Sequence, residues 1–104
     1  MMPSCEIELH WLTPKEGGRT TPFRGSRFTP TARFVGEQDQ FSVVLDFAPS
    51  NVPNPTKGVL RLLNPDLREI QGRIHTGTKL EIMEGPRVVA QGVTGKMGGA
   101  GVNQ

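Results

Sequence analysis

The sequence predicts an all-β protein, a small closed antiparallel barrel of about six strands. Three observations carry that prediction. Apolar and polar residues alternate over short runs, as where Cys5, Ile7, Leu9 and Trp11 interleave with Glu6, Glu8 and His10. Period 2 is the mark of a strand with one buried face. Between such runs, 13 Gly and 9 Pro punctuate a chain of 104 residues, and both residues interrupt helices. Several short strands with frequent turn signals point to a barrel or sandwich, and closure into a barrel removes vulnerable edges. The composition excludes a helical bundle or coiled coil. The apolar share, 35%, comes in clumps, which separates the chain from a disordered one.

The elements follow in chain order. Residues 1–4 form a lead, 5–95 a single barrel domain, and 96–104 a Gly-rich tail. Cys5 to Leu12 is the first strand. Thr13 to Gly25 holds two Pro and three Gly and reads as a long loop. Arg27 to Val35 is a strand with Phe28, Ala32 and Phe34 on one face, and Thr29-Pro30 within it marks an edge or a bulge. Gly36 to Gln40 turns the chain into a strand from Phe41 to Phe47, with Phe41, Val43, Leu45 and Phe47 inward. Pro49, Pro53 and Pro55 exclude regular structure from Ala48 to Thr56. Val59 to Leu63 is a strand, and Asn64-Pro65-Asp66 a turn. Leu67 to Thr76 places Leu67, Ile70 and Ile74 at helical spacing, but Gly72 interrupts them, so the segment reads as loop or short strand. Lys79 to Met83 and Arg87 to Thr94 alternate again around the turn Glu84-Gly85-Pro86. From Gly95 onward the run lacks core residues and reads as a frayed end.

Charge is local. The net charge is +2, but Thr13 to Gly36 carries Lys15, Arg19, Arg24, Arg27 and Arg33 against Glu16 alone, a net +4, so the remainder sums to −2. This is a mild basic patch, not the footprint of a strong nucleic-acid binder. A single cysteine, Cys5, permits no internal disulfide and fits a reducing compartment. With no signal-peptide run after Met1 and no membrane-length apolar stretch, the expected location is cytoplasmic.

The residues of common catalytic and metal sites do not assemble in this sequence. His10 and His75 lack a ligand partner at zinc-site spacing, so no metal or cofactor is expected. Cys5 falls on an inward face, the place of an inert thiol. Gly95-Lys96 looks like the end of a phosphate-binding loop, but that pattern requires Gly where Ala90 stands and Ser or Thr where Met97 stands. No serine has a triad context. The protein is expected not to be an enzyme.

Two separated segments carry a resemblance. Leu12, Glu16, Gly17, Gly18, Arg19, Thr21, Pro22 and Phe23 match, in register, the Leu-x-x-Glu-Glu-Gly-Gly-Arg-x-Thr-Pro-Phe that follows the first strand of the C-terminal β-barrel domain of elongation factor Tu. Gly25 and Arg27 are similar to the Gly-Tyr-Arg-Pro that comes next. Further on, Gly77, Leu80, Ile82, Glu84, Gly85, Arg87, Val89 and Gly92 resemble that domain's Gly-x-x-Phe-x-Ile-x-Glu-Gly-x-Arg-x-Val-x-x-Gly-x-Val ending, and Leu62 to Pro65 resembles its Leu-Ile-x-Pro. The departures are Ser26 for Tyr, Phe28-Thr29 for Pro-Gln, Thr20 for a frequent His, Asn64 for an expected Lys and Thr94 for Val. Pro49 to Lys57 stands where the family has Met-Pro-Gly-Asp. Neither the GTPase domain nor the second domain of that factor is present in these 104 residues.

The resemblance implies a stand-alone barrel of translation-factor type that binds RNA, tRNA above all, or a translation-related protein such as a translation GTPase. Lys15, Gly17, Gly18, Arg19, Thr20, Arg24, Arg27 and Arg87 are the candidate contacts. Glycines let a backbone approach a phosphate, and Arg grips phosphate bidentately. A few such contacts would give a slope of log K on log salt of about −2 to −4. The same residues also have a plainer reading. The glycines shape a turn, Arg19 pairs with Glu16, and Arg24, Arg27 and Arg33 form a solvated face. On that reading the chain is a protein-interaction module with no nucleic-acid role.

Overall fold

The computed structural model describes residues 4–19, 25–47, 55–64 and 66–97. The strands are β1 (Ser4–Trp11), β2 (Arg27–Phe28), β3 (Thr31–Phe34), β4 (Phe41–Phe47), β5 (Thr56–Leu62), β6 (Lys79–Glu84) and β7 (Arg87–Met97). All pairings are antiparallel, and the run β1, β5, β4, β3, β6, β7 returns to β1. The sheet is therefore a closed six-stranded barrel, with the two-residue β2 added on β4.

Alternation fills the interior. Cys5, Ile7 and Leu9 from β1 meet Val43, Leu45 and Phe47 from β4, with Leu60, Leu62, Leu80 and Ile82 completing one core. Leu9, Val43, Leu45, Leu80 and Ile82 are fully excluded from solvent. Gly92 of β7 also faces this core. A Cβ there would lie 2.8 Å from Ile7 Cδ1, so the glycine yields its space to the larger side chains of β1.

The break at Thr29-Pro30 inserts no residue. Arg27 faces Asp46, Phe28 faces Leu45, Thr31 faces Ser42 and Ala32 faces Phe41, a single continuous register along β4. Pro30 has no N–H to give the ladder, but its carbonyl still accepts from the Val43 N–H at 3.0 Å. The register shifts lie elsewhere. Cys5 faces Met97 while Ile7 faces Thr94, and Ile82 faces Ala90 while Met83 faces Val88, which leaves Val89 as an extra residue, and it is buried.

The segment after β5 differs from expectation. Arg68–Arg73 forms a short helix, α1. Ile74 is buried behind it, and Leu67 and Ile70 pack on the core. The helix spacing of these three residues outweighs Gly72, at which an added Cβ would meet nothing within 4 Å. Strand pairing also reaches past both expected domain boundaries. Ser4 faces Arg61, and Met97 faces Cys5, so residues 95–97 belong to β7 rather than to a frayed end. Residues 98–104 lie outside the described residues. No helix among the described residues is long and apolar enough to cross a membrane.

Candidate functional site

The antiparallel order sends the end of β1, the ends of β4 and β6, and the starts of β5 and β7 to one mouth of the barrel. The first matched segment meets the Glu84–Val89 part of the second there. The Leu12 N–H donates to the Val89 carbonyl at 2.9 Å, which seats the loop after β1 beside the start of β7.

That loop is built from local chemistry. Thr13 caps a single 3-10 turn, Pro14–Glu16. The Thr13 N–H donates to Glu16 Oε1 at 2.8 Å, and the Glu16 N–H donates to Thr13 Oγ1 at 3.3 Å, a reciprocal capping box. The Thr13 N–H first, and the Thr13 hydroxyl second, hold the Glu16 carboxyl below its ordinary value. Gly17 then adopts φ +91°, and a Cβ on Gly18 would fall 2.2 Å from the Leu12 carbonyl oxygen. Gly17 turns the chain and Gly18 lets it fold back on β1, so the glycines close a turn.

Arg19 follows directly. Its partner is Glu84 at the end of β6, not Glu16: Arg19 Nη1 donates to Glu84 Oε2. Its guanidinium also stands 6.0 Å from the centroid of the Phe28 ring. Phe28 in turn lies 5.9 Å from Trp11, which lies 6.2 Å from Phe47. The Trp11 indole N–H donates to Thr56 Oγ1 at 2.9 Å. Trp11, Phe28 and Phe47 thus form an aromatic floor beneath the loop, continuous with the core.

The remaining candidates divide. Arg27 Nε donates to Asp46 Oδ1 at 2.6 Å across β2 and β4, which raises its pKa further through that bond first and the charge second. Arg33 Nε donates to Glu81 Oε1 at 2.7 Å, with both side chains mostly covered, so it is not simply a solvated charge. Lys15 and Arg87 are exposed and make no ion pair among the described residues. Arg87 faces Glu84 in the β6–β7 register, while the Glu84 carboxylate pairs with Arg19. Thr20 and Arg24 lie outside the described residues.

Three of the five cations in the basic window, Arg19, Arg27 and Arg33, are thus held by Glu84, Asp46 and Glu81. None of these acids lies within the window, and all three pairings are long-range. The sequence offered no signal for them except the position of Glu84 in the second matched segment. Among the described residues, no three His, Cys, Asp or Glu side chains stand where they could hold a metal ion. The Cys5 thiol is buried, and that burial, helped by the Glu6 charge, pushes its pKa up to about 11.

No protein-family model matches this sequence, and a search of curated proteins gives no match.

Proposed function

We propose that this protein is a non-catalytic binding module, a translation-factor-like barrel that engages the backbone of RNA, tRNA above all, through the mouth bearing the 13–19 loop. The observation that carries the reading is the meeting of the two resembling segments at one mouth, where Lys15 and Arg87 lack carboxylate partners among the described residues. Exposed cations beside a backbone turn suit phosphate contacts. A cytoplasmic location follows from this role. The buried, high-pKa thiol argues against Cys5 as a nucleophile, in keeping with a role without catalysis.

The ion pairs favour a second reading, in which the mouth docks on a protein such as a translation GTPase. Cations already satisfied by Glu84, Asp46 and Glu81 release less counterion on meeting a phosphate, while ion-paired arginines suit a protein surface.

Titration of 15N-labelled protein with tRNA at several salt concentrations separates the two. RNA binding is expected to shift the amides of Lys15, Gly18, Arg19 and Arg87, with a log–log salt slope near −2, about two phosphate contacts. Lys15→Ala with Arg87→Ala should remove the response. If tRNA moves none of these amides at low salt, the RNA reading fails, and the same titration with a translation GTPase lacking its own C-terminal barrel tests the second.

A further inference from the structure

The opposite mouth of the barrel carries a different chemistry. There α1 and the turn between β3 and β4 border an open cleft of about 500 Å3. Phe34, Leu67 and Ile70 supply its apolar surface, and Asp39, Asp66 and Glu69 stand on its rim. These three carboxylates are exposed and make no ion pair among the described residues.

One wall already shows what the cleft can hold. The Arg73 guanidinium lies 4.0 Å over the centroid of the Phe34 ring. Its Nη1 donates to Glu37 Oε1 at 3.0 Å, and its Nη2 donates to Glu37 Oε2. An aromatic face below and a bidentate carboxylate beside it are the two features that select a planar guanidinium over an ammonium. Arg73 and Glu37 are both nearly half exposed, so the pair is open to exchange, and exposed pairs of this kind contribute little net stability. The same cleft is lined by Leu67 and Ile70 and by Asp39, Asp66 and Glu69, which form no salt bridge among the described residues.

We propose that this cleft receives an extended, arginine-bearing segment of a partner protein. One partner guanidinium takes the Phe34–Glu37 position in place of Arg73, and a neighbouring cation reaches Asp39 and Glu69. The cleft bears four carboxylates against Arg68 and Arg73, so its charge is complementary to a basic segment. This surface is independent of the mouth discussed above, and its test does not involve RNA.

The probe is an acetylated, amidated Gly-Arg-Gly-Arg-Gly peptide, with the Lys peptide of the same spacing as its counterpart, titrated into 15N-labelled full chain at low salt. Amide shifts are expected at Glu37, Asp39, Ile70 and Arg73, with the Lys peptide weaker. Arg73→Gln vacates the site and should tighten binding roughly two- to fivefold, the span set by an exposed ion pair. Asp39→Asn with Glu69→Gln alters only exposed side chains that form no salt bridge among the described residues, so folding is not at stake, and it should weaken binding several-fold. The proposal is overturned if the Lys peptide binds as well as the Arg peptide, if Asp39→Asn with Glu69→Gln leaves the affinity unchanged, or if the shifts map to Glu6 and Glu8 on the outer face of β1.

Discussion

Arg19 reaches across 65 positions of sequence to hydrogen-bond the carboxylate of Glu84, and this bond fastens the loop after β1 to the β6–β7 turn. The side chains are 27% and 34% exposed, so the pair is partly screened. Arg19→Ala and Glu84→Ala should each cost on the order of 1 kcal/mol, and a double-mutant cycle should return a coupling of about 0.5–1 kcal/mol. Urea denaturation measures both. Hydrogen exchange at Gly17 and Gly18 should quicken in either variant, because the loop would keep its capping box but lose its clasp.

Gly17 and Gly18 adjoin in sequence but answer to different constraints, and substitution should tell them apart. Gly17 has φ +91° with open space around it. Gly17→Ala should cost about 1–2 kcal/mol from the left-handed backbone, and Gly17→Asn less, since Asn tolerates that region. At Gly18 a Cβ meets the backbone of Leu12 at 2.2 Å. Gly18→Ala and Gly18→Asn should therefore be similarly damaging, roughly 1–3 kcal/mol, because backbone must move in both. Equal responses to Asn at the two positions would contradict this division.

Stability should depend on pH from both sides. Glu37 is lowered chiefly by its hydrogen bond from Arg73, and Glu16 by its bond from the Thr13 N–H. A lowered folded-state value means that the unfolded chain binds protons first as pH falls, so these contributions are present above the ordinary value of 4.5 and fade below it. Cys5 acts in the opposite direction. Its thiol rises from 9.0 to about 11, so the unfolded chain loses its proton first and stability should decline as pH climbs through that interval. Denaturation midpoints from pH 3 to pH 11 check the shape, and Cys5→Ala should flatten the alkaline limb. At pH 8, reaction of Cys5 with a thiol reagent should run about two orders of magnitude slower in the folded protein than in urea, from the thiolate fraction alone.

The barrel was legible because its strands bury one face. Cys5, Ile7 and Leu9, or Val43, Leu45 and Phe47, announce period 2 directly. Two segments were not legible, each for a physical reason. α1 is six residues long, too short to hold itself by propensity, and it forms because Leu67, Ile70 and Ile74 find the barrel mouth, a contact that local pattern cannot reveal. Residues 95–97 have no apolar alternation, yet the backbone ladder to Cys5 needs none, and an added Cβ on Gly95 would lie 3.3 Å from Glu6 Cβ. The candidate mouth was legible as a cluster of cations, not as a charge distribution. Asp46, Glu81 and Glu84 lie far along the chain from Arg27, Arg33 and Arg19, and only the pairing of distant strands and loops brings them together.

Thr94 shows how one side chain can secure a connection. It is the one polar residue buried among the described residues, 2% exposed, and its hydroxyl accepts from the Thr78 N–H at 3.0 Å while donating to the His75 carbonyl. The backbone completes the clasp: the Gly77 N–H donates to the Thr94 carbonyl at 2.7 Å, and the Thr94 N–H donates to the Thr78 carbonyl at 3.0 Å. The link from α1 to β6 is thereby tied to β7. Thr94→Val preserves volume but removes the hydroxyl that serves the Thr78 N–H and the His75 carbonyl. It should cost roughly 1–3 kcal/mol, although Val suits a strand at least as well as Thr. Thr94→Ser keeps the hydroxyl and should retain the clasp, losing only the packing of a methyl group. Hydrogen exchange locates the effect: protection at Gly77 and Thr78 should drop in Thr94→Val and persist in Thr94→Ser, while Ile7 and Leu45 in the core keep theirs up to the global unfolding limit. A uniform loss across the barrel in Thr94→Val would instead assign the residue to the core and overturn its role as a local clasp.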